Sequence, residues 1–305
     1  MFKVILFFAT ACTAPLMANA QANELRYKAN GFHAEFFEPD EPSGRALIVL
    51  GGAEGGNEFG NLMAPYFQAN GYHVMSLAYF RADGLHDQLE EVPVEMVGRA
   101  ISWIQSNRAG KINRIGMIGG SKGAELALVS AALLQNIDAL VLISPSSVVW
   151  QSINEQSWDS EASSWTFKET SLPFLRYDFS RGVQNIRDFY SAAIDSREDN
   201  SVVIAAENVE CPILMLSGSQ DNLWPSETMA EMIVSRLQSK AFPHTVDHVN
   251  YEKAGHLLIH AAAFEDSAEW PDRGALEALG GSVSQFEEIA LDSLQRITDF
   301  LEREL

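Results

Sequence analysis

The feature that most constrains the fold of this chain is a repeated alternation of apolar runs with amphipathic stretches. Five apolar runs are typical of strands buried on both faces: residues 46–50, 73–79, 115–118, 139–143 and 213–216. Helical spacing of apolar residues marks four segments between them, at residues 61–70, 94–107, 124–134 and 227–237. A last amphipathic segment carries Phe286, Ala290, Leu294, Ile297 and Leu301 on one face. This order predicts an α/β protein with a mostly parallel sheet, right-handed crossovers and flanking helices.

The alternation is interrupted at about residues 150–200, where no clear strand pattern is present. Nine aromatic residues lie in this segment: Trp150, Trp158, Trp165, Phe167, Phe174, Tyr177, Phe179, Phe189 and Tyr190. Aromatic side chains at this density either hold an insertion onto a domain or line an apolar cleft beneath it. Because no linker-like composition marks a boundary, we expect a single domain over residues 21–305 with a cap-like insertion.

Residues 1–20 are typical of a secretory signal peptide. Lys3 gives a positive start, residues 4–16 are largely apolar, and residues 18–20 (Ala-Asn-Ala) form a small-x-small cleavage site. The apolar run is short for a membrane span. We therefore expect an exported protein, periplasmic or secreted, with no membrane span in the mature chain. An uncleaved anchor and a lipoprotein formed through Cys12 are the alternatives.

Charge and cysteine content exclude further classes of protein. With 21 basic and 41 acidic residues the formal net charge is −20, which repels the phosphates of nucleic acids and anionic lipid surfaces. Cleavage of the predicted signal peptide leaves Cys211 as the single cysteine, so the mature chain has no internal disulfide. Cys211 precedes Pro212 and an apolar run, and we expect it to be a small buried hydrophobic residue. The oligomeric state is not defined by the sequence.

Residues 115–128, IGMIGGSKGAELAL, contain the strongest chemical signal. Gly119 to Gly123 match the G-x-S-x-G pattern, in which a sharp strand-to-helix turn exposes a nucleophilic serine. The flanks fit, because an apolar strand precedes the pattern and an Ala/Leu-rich helix follows it. A phosphate-binding loop would end in Gly-Lys-Ser/Thr, whereas here Ser121 precedes Lys122. The pattern therefore predicts Ser121 as a nucleophile.

A nucleophilic serine needs an acid and a base, which follow it in that order along such a chain. Asp221 comes shortly after the apolar run at residues 213–216, at the carboxyl end of a predicted strand, where sheets of this kind carry their chemistry. His256 follows Ala254 and Gly255, a short small-residue approach that lets a loop present an imidazole. We therefore predict Asp221 as the acid and His256 as the base.

Two backbone N–H groups are predicted to form an oxyanion hole. One belongs to Lys122, the residue after the nucleophile, and the other to Ala53 in the glycine-rich loop at residues 51–56. A carboxylate pointing at this hole is unfavourable, so we expect Glu54 to turn outward or to pair with a cation such as Lys122. Four residues are candidate substrate contacts: Glu54, Trp150, Trp165 and Trp224.

Five segments resemble the C-terminal catalytic domain of the bile acid-CoA:amino acid N-acyltransferase and acyl-CoA thioesterase family. They are GGSKGAELAL (119–128), PSSVVW (145–150), SSWTFKETSLPFL (163–175), PILMLSGSQDNLWPS (212–226) and AGHLL (254–258). The resemblance extends from about residue 46 to residue 305. It implies an α/β-hydrolase fold, and it carries the nucleophile to Ser121, the acid to Asp221 and the base to His256.

Three departures from the family bear on function. About 25 residues of the expected mature chain precede the first apolar run, so we expect the family's N-terminal β-sandwich domain to be missing. Serine at the nucleophile position resembles the hydrolytic members, whereas amino-acid-conjugating members use cysteine. An exported protein would rarely meet acyl-CoA, which suggests another activated acyl compound as the physiological substrate.

Together the residues predict a serine hydrolase that cleaves acyl thioesters or carboxylic esters through an acyl-enzyme on Ser121. Acyl transfer to an acceptor other than water is one alternative, and a non-catalytic binding protein that retains the fold is another. The expected partner is a small-molecule ester or thioester. No metal-ligand pattern is present in the sequence, so no metal or organic cofactor is expected.

Overall fold

A computed structural model describes residues 22–108, 110–154, 160–259 and 273–305. The predicted signal peptide at residues 1–20, with Cys12, and the cap residue Trp158 lie outside the described residues. No helix in the described ranges is long and apolar enough to cross a membrane.

The described chain forms eleven strands. They are β1 (Ala22–Leu25), β2 (His33–Phe37), β3 (Arg45–Leu50), β4 (Tyr72–Ala78), β5 (Val92–Pro93), β6 (Arg114–Gly120), β7 (Ala139–Ile143), β8 (Trp165–Phe167), β9 (Thr170–Ser171), β10 (Ile213–Gly218) and β11 (Val246–Tyr251). Eight of them form the main sheet in the order β1-β2-β4-β3-β6-β7-β10-β11, and β5, β8 and β9 form a small second sheet. In the main sheet the pairs β1/β2 and β2/β4 are antiparallel and all the others are parallel. The predicted mostly parallel α/β architecture is therefore confirmed.

Eight α-helices accompany the strands in the described residues. They are α1 (Tyr27–Asn30), α2 (Glu58–Ala69), α3 (Glu95–Asn107), α4 (Lys122–Leu133), α5 (Ile186–Ser196), α6 (Ser226–Ser239), α7 (Arg273–Leu279) and α8 (Phe286–Glu304). The apolar face predicted for α8 is buried along its whole length. Alternate residues of β3 point to opposite faces of the sheet, so Ile48 joins the core on one face while Leu47 and Val49 join the core on the other.

The segment between β7 and β10 contains β8, β9 and α5. Four of its aromatic residues, Trp150, Tyr177, Phe189 and Tyr190, pack into a third cluster, whereas Trp165 belongs to the core on the Ile48 face of the main sheet. The Tyr190 ring of α5 lies 4.7 Å from the Trp150 ring and 5.8 Å from the Trp224 ring, with both pairs near perpendicular. Because Trp224 follows β10, these contacts attach the segment to the carboxyl edge of the main sheet. Of the two roles considered for the aromatic residues, the structure supports the packing role.

Candidate active site

Ser121 lies in a sharp turn between β6 and α4. Its φ of 54° and ψ of −120° are strained for a residue with a side chain. A Cβ at Gly119 would lie 2.3 Å from the Gly123 carbonyl oxygen, and a Cβ at Gly123 would lie 2.1 Å from the Gly51 carbonyl oxygen. Only glycine therefore fits on either side, which is the physical reason for the G-x-S-x-G pattern. The turn predicted from the sequence is present, with Ser121 at its apex.

The end of β7 connects the Ser121 turn to the loop that carries His256. The Ser121 N–H donates to the Ile143 carbonyl at 2.9 Å. Ser144, which follows, is buried with a φ of 49°; its N–H donates to the Leu216 carbonyl at 2.8 Å and its hydroxyl to the His256 carbonyl at 2.7 Å. One strand end thus holds both the predicted nucleophile and the predicted base at the same edge of the sheet.

Asp221 and His256 form a buried pair. The Nδ1–H of His256 donates to Asp221 Oδ2 at 2.9 Å, and the two side chains are 6% and 0% exposed. Asp221 Oδ1 accepts the N–H groups of Leu223 and Trp224 at 2.9 and 3.1 Å, so both carboxylate oxygens are paired. This arrangement fixes the imidazole with Nε2 facing away from the acid.

Ser121 and His256 form no hydrogen bond with each other within the described residues. The structure therefore brings the predicted acid and base into contact and places the nucleophile at the same sheet edge. In unliganded active sites the bond between nucleophile and base is often long, and it shortens when substrate binds.

Helix α5 supports the acid loop from the inserted segment. Arg187 Nη1 donates to the carbonyls of Ser219 and Asp221 at 3.2 and 2.9 Å, and the Arg187 N–H donates to the Asn222 carbonyl at 3.1 Å. The inserted segment therefore sets the position of the catalytic acid candidate as well as covering the sheet edge.

The acid loop and the base loop share one carbonyl group at the end of α7. The Leu279 carbonyl accepts the N–H groups of His256 at 3.0 Å and Asn222 at 3.2 Å. The next residue, Gly280, has a φ of 87°, and a Cβ there would lie 1.9 Å from the Gln220 carbonyl oxygen. Glycine is required here both for its positive φ and for this close approach.

A buried ion pair lies beneath the turn. Lys122 Nζ donates to Glu125 Oε2 at 2.6 Å and to Ser164 Oγ at 2.8 Å. Glu125 Oε1 accepts the Trp150 N–H at 2.9 Å and the Trp165 Nε1–H at 2.7 Å. Burial raises the pKa of Glu125 and lowers the pKa of Lys122, and their pairing opposes both shifts. The network joins α4 to the inserted segment.

The tryptophans predicted to contact substrate are buried. Trp150 and Trp165 are 0% exposed and donate hydrogen bonds to Glu125, so in this structure they build the protein interior and offer no surface to a ligand. The Trp224 ring lies 5.8 Å from the His256 ring. Its buried Nε1 has no hydrogen-bond partner in the described part of the chain, so substrate contact remains a prediction for Trp224.

The two predicted oxyanion donors are available in the structure. Lys122 is the first residue of α4, where an N–H has no acceptor within the helix. Across the described ranges, neither the Ala53 N–H nor the Lys122 N–H donates a hydrogen bond. Tyr79 holds the loop that carries Ala53, because its hydroxyl is within 2.8 Å of the Gly51 carbonyl and 2.7 Å of the Gly52 carbonyl.

The expectation for Glu54 is wrong. Its side chain turns inward and Oε1 accepts the Gly52 N–H at 2.7 Å, whereas the Lys122 ammonium binds a different carboxylate. A Cβ at Gly52 would lie 2.7 Å from Glu54 Oε2 and 3.2 Å from Ser121 Cβ. Gly52 has no side chain to occupy this space, and its N–H binds the Glu54 carboxyl group. Both features hold the carboxyl group on the side of the loop near Ser121.

Two other features bear on the chemistry of the protein: the thiol of Cys211 and the grouping of metal-binding side chains. Cys211 is buried, as predicted, and burial raises the pKa of its thiol to about 12. In the described ranges no group of three or more His, Cys, Asp or Glu side chains is arranged to hold a metal ion.

Three positioning groups are not identified by sequence analysis: Ser144, Arg187 and the Leu279 carbonyl. Each acts through contacts with residues distant in the chain, and a single sequence does not record such contacts. Only Ser144 has a weak signal in the sequence. It directly follows the apolar run at residues 139–143, which places it at the carboxyl edge of the sheet with Ser121.

Solved structures with similar backbones share this architecture. The esterase Pf2001 of Pyrococcus furiosus has a TM-score of 0.53 and 16% identity, over 94% of this chain and 93% of that chain. A dienelactone hydrolase of Anabaena variabilis ATCC 29413 has a TM-score of 0.50 and 15% identity, over 93% of this chain and 98% of that chain. These likenesses show the fold alone, and they confirm the predicted α/β-hydrolase fold.

Sequence relatives are more specific. Acyl-coenzyme A thioesterase 1 of Mus musculus is 30% identical over 74% of this chain and 51% of the relative. Acyl-coenzyme A thioesterase 6 of Homo sapiens is 26% identical over 89% of this chain and 63% of the relative. The chain spans about half the length of the first of these curated relatives. A family model described as BAAT / Acyl-CoA thioester hydrolase C terminal matches residues 92–305. The chain therefore belongs to the BAAT / acyl-CoA thioester hydrolase family.

Proposed function

We propose that this protein is a serine hydrolase that cleaves acyl thioesters or carboxylic esters through an acyl-enzyme on Ser121. The observation that carries the proposal is the buried Asp221–His256 pair at the sheet edge where Ser121 occupies its strained turn. A carboxylate with no solvent exposure that is bound to a histidine is costly for the fold. A buried pair of this kind, at the sheet edge that also carries a strained serine, supports a catalytic role.

In the proposed reaction, the Ser121 hydroxyl attacks the carbonyl carbon of the substrate and His256 Nε2 accepts its proton. Asp221 holds the imidazole through Nδ1 and stabilises the imidazolium that forms. The N–H groups of Ala53 and Lys122 bind the oxyanion of the tetrahedral intermediate. The carbon–sulfur or carbon–oxygen bond then breaks, and the imidazolium returns the proton to the departing thiolate or alkoxide.

Water completes the cycle. His256 removes a proton from a water molecule that attacks the acyl-enzyme, a second tetrahedral intermediate forms, and the acid leaves as Ser121 regains its proton. The names of the relatives, acyl-coenzyme A thioesterases 1 and 6, support thioesters as the substrate class. We further propose export of the protein, in which case the natural substrate is a thioester or ester other than cytoplasmic acyl-CoA.

The first experiment labels the wild-type protein with a fluorophosphonate probe and identifies the modified peptide by mass spectrometry. Labelling is expected at Ser121. Rates are then measured on acyl-CoA thioesters and on p-nitrophenyl esters of several chain lengths, which gives the size of the acyl site. Product analysis with added glycine separates hydrolysis from transfer, because transfer gives the N-acyl product.

Variants make this experiment decisive. Ser121→Ala is expected to lower kcat by about 10⁶-fold, as in other serine triads, and Asp221→Asn by about 10⁴-fold. Ser171→Ala in β9, an exposed serine away from the turn, is the matched control and should retain the wild-type rate. Near-normal turnover by the Ser121→Ala protein would refute the mechanism, and an unlabelled Ser121 in folded protein would favour a binding protein.

A further inference from the structure

Glu54 is a partly buried acidic group that the mechanism above does not use, and its carboxyl group lies near the Ser121 side chain. The loop at residues 51–56 carries the predicted oxyanion donor Ala53, and Glu54 is the next residue. Its carboxyl group folds back over Gly52. A Cβ placed on Gly52 would lie 2.7 Å from Glu54 Oε2 and 3.2 Å from Ser121 Cβ, so the carboxyl group and the Ser121 side chain border the same small space. A substrate oxyanion held by Ala53 and Lys122 would form next to this carboxyl group.

The two oxygens of Glu54 have different surroundings. Oε1 accepts the Gly52 N–H at 2.7 Å, which suits the carbonyl oxygen of a neutral carboxylic acid. In such a neutral acid the proton would be on Oε2, on the side of the loop near Ser121. A neutral acid in this orientation is a hydrogen-bond donor at the site, whereas the ionised form would present a negative charge to a developing negative charge.

We propose that Glu54 is a further catalytic residue, which in its protonated form donates a hydrogen bond to the oxyanion that develops beside Ser121. The inference rests on the proposed function. Glu54 keeps its proton throughout the reaction, so it acts as a third donor beside the N–H groups of Ala53 and Lys122 and exchanges no atoms with the substrate.

The charged and titratable groups around Glu54 shift its pKa in opposing directions. Burial is the main cause that raises its pKa, and the nearby Glu58 carboxylate at the start of α2 raises it further. Three groups lower it, in decreasing order of effect: the backbone N–H of Glu54 itself, the Gly52 N–H and a protonated His256. From the end of β4, the Tyr79 hydroxyl is committed to backbone carbonyls. The guanidinium of Arg81, just beyond β4, binds the Glu54 carbonyl at 3.3 Å rather than its carboxyl group. The net direction is a raised pKa, which favours the neutral acid.

The pH dependence follows from these directions. Activity falls as pH rises through the raised pKa of Glu54, because ionisation removes a donor and introduces repulsion. The falling limb belongs to a carboxyl group, and a variant that cannot ionise at position 54 should lose it.

The test compares kcat/KM profiles from about pH 5 to about pH 9 for the wild type and three variants. Glu54→Ala removes the donor and should lower kcat by about 10²-fold near the wild-type optimum, the effect of removing one oxyanion donor. Glu54→Gln presents an N–H donor at every pH, so it should exceed Glu54→Ala by at least about tenfold and lack the falling limb. Glu58→Gln, an exposed change near the same loop, is the matched control. It should keep the wild-type maximum rate, with the falling limb moved to lower pH because the Glu58 charge no longer raises the pKa of Glu54.

The outcomes separate this inference from the proposed function. Failure of the fluorophosphonate probe to label wild-type Ser121 would overturn both. With Ser121 labelled, a Glu54→Ala protein as fast as the wild type would overturn the inference alone, and so would a Glu54→Gln protein that retains the falling limb. Far-ultraviolet circular dichroism establishes folding of each variant, and Glu54→Met replaces Glu54→Ala if the alanine protein is unfolded.

Discussion

The ion pair of Lys122 and Glu125 gives a prediction whose magnitude follows from its contacts. Lys122→Met removes the ammonium but leaves Glu125 buried, with the N–H groups of Trp150 and Trp165 as its remaining donors. Breaking a buried pair by removing one partner costs about 3–5 kcal/mol, because the other charge is left without compensation. The two tryptophan donors offset part of this penalty, so we expect about 3 kcal/mol for Lys122→Met.

Glu125→Gln should cost about 4 kcal/mol, because Lys122 then keeps only the Ser164 hydroxyl and the Trp165 ring, 5.0 Å from Nζ. The double variant Lys122→Met/Glu125→Gln leaves no charge at positions 122 and 125. Its glutamine oxygen still accepts the tryptophan N–H groups, so its loss should be about 1–2 kcal/mol. The two single losses are therefore expected to be strongly non-additive.

Thermal unfolding followed by circular dichroism measures these effects. For 305 residues, an unfolding entropy of about 2.1 cal/mol/K per residue converts 3 kcal/mol into a fall in Tm of about 5 °C. Removing Lys122 raises the pKa of Glu125 further. As pH falls, Glu125 therefore becomes protonated in the folded protein, and the cost of burying its unpaired charge disappears. The Lys122→Met loss should therefore be smaller at about pH 5 than at about pH 8. A loss below about 1 kcal/mol, or a double variant less stable than both single variants, would refute the reasoning.

Two further substitutions and one labelling reaction test other parts of the structure. Ser144→Ala removes the hydrogen bond to the His256 carbonyl; we expect kcat to fall about tenfold with little change in KM, in steady-state assays, and stability to fall by about 1 kcal/mol. Gly280→Ala introduces a Cβ 1.9 Å from a carbonyl oxygen at a φ of 87° and should cost about 2–4 kcal/mol in urea unfolding. Cys211, whose pKa burial raises to about 12, should react with a thiol reagent only after denaturation.

The elements that were predicted from the sequence are those whose burial pattern is local. The strands β3, β4, β6, β7 and β10 are continuous apolar runs because helices cover both faces of the sheet. Sequence analysis does not identify the edge strand β11, because Val246–Tyr251 is neither a continuous apolar run nor a strict alternation of apolar and polar residues. Asp247 and His248 are adjacent polar residues, and the strand is half-buried throughout. The short strands β8 and β9 lack a pattern of their own and depend on pairing with β5 and with each other.

The residues of the candidate active site follow the same rule: those with a local sequence signal are predictable and those set by distant contacts are not. The sequence indicates Ser121, Asp221 and His256 because each stands after a recognisable strand or in a glycine-containing turn. It does not indicate the inward turn of Glu54, because this turn depends on the space beside Gly52 and on one N–H that becomes available only in the folded loop. The partner of Lys122 could have been inferred, since Glu125 lies three residues later on the same helix face.

The shared carbonyl of Leu279 has a consequence for the biosynthesis of the protein. Chains emerge from the ribosome N-terminal end first, so the Ser121 turn and the Asp221 loop are made well before α7. The base loop and the acid loop acquire their common hydrogen-bond acceptor only after Leu279 has been synthesised and has docked. We therefore expect a nascent chain that ends before Leu279 to lack the contact that holds the acid loop and the base loop together.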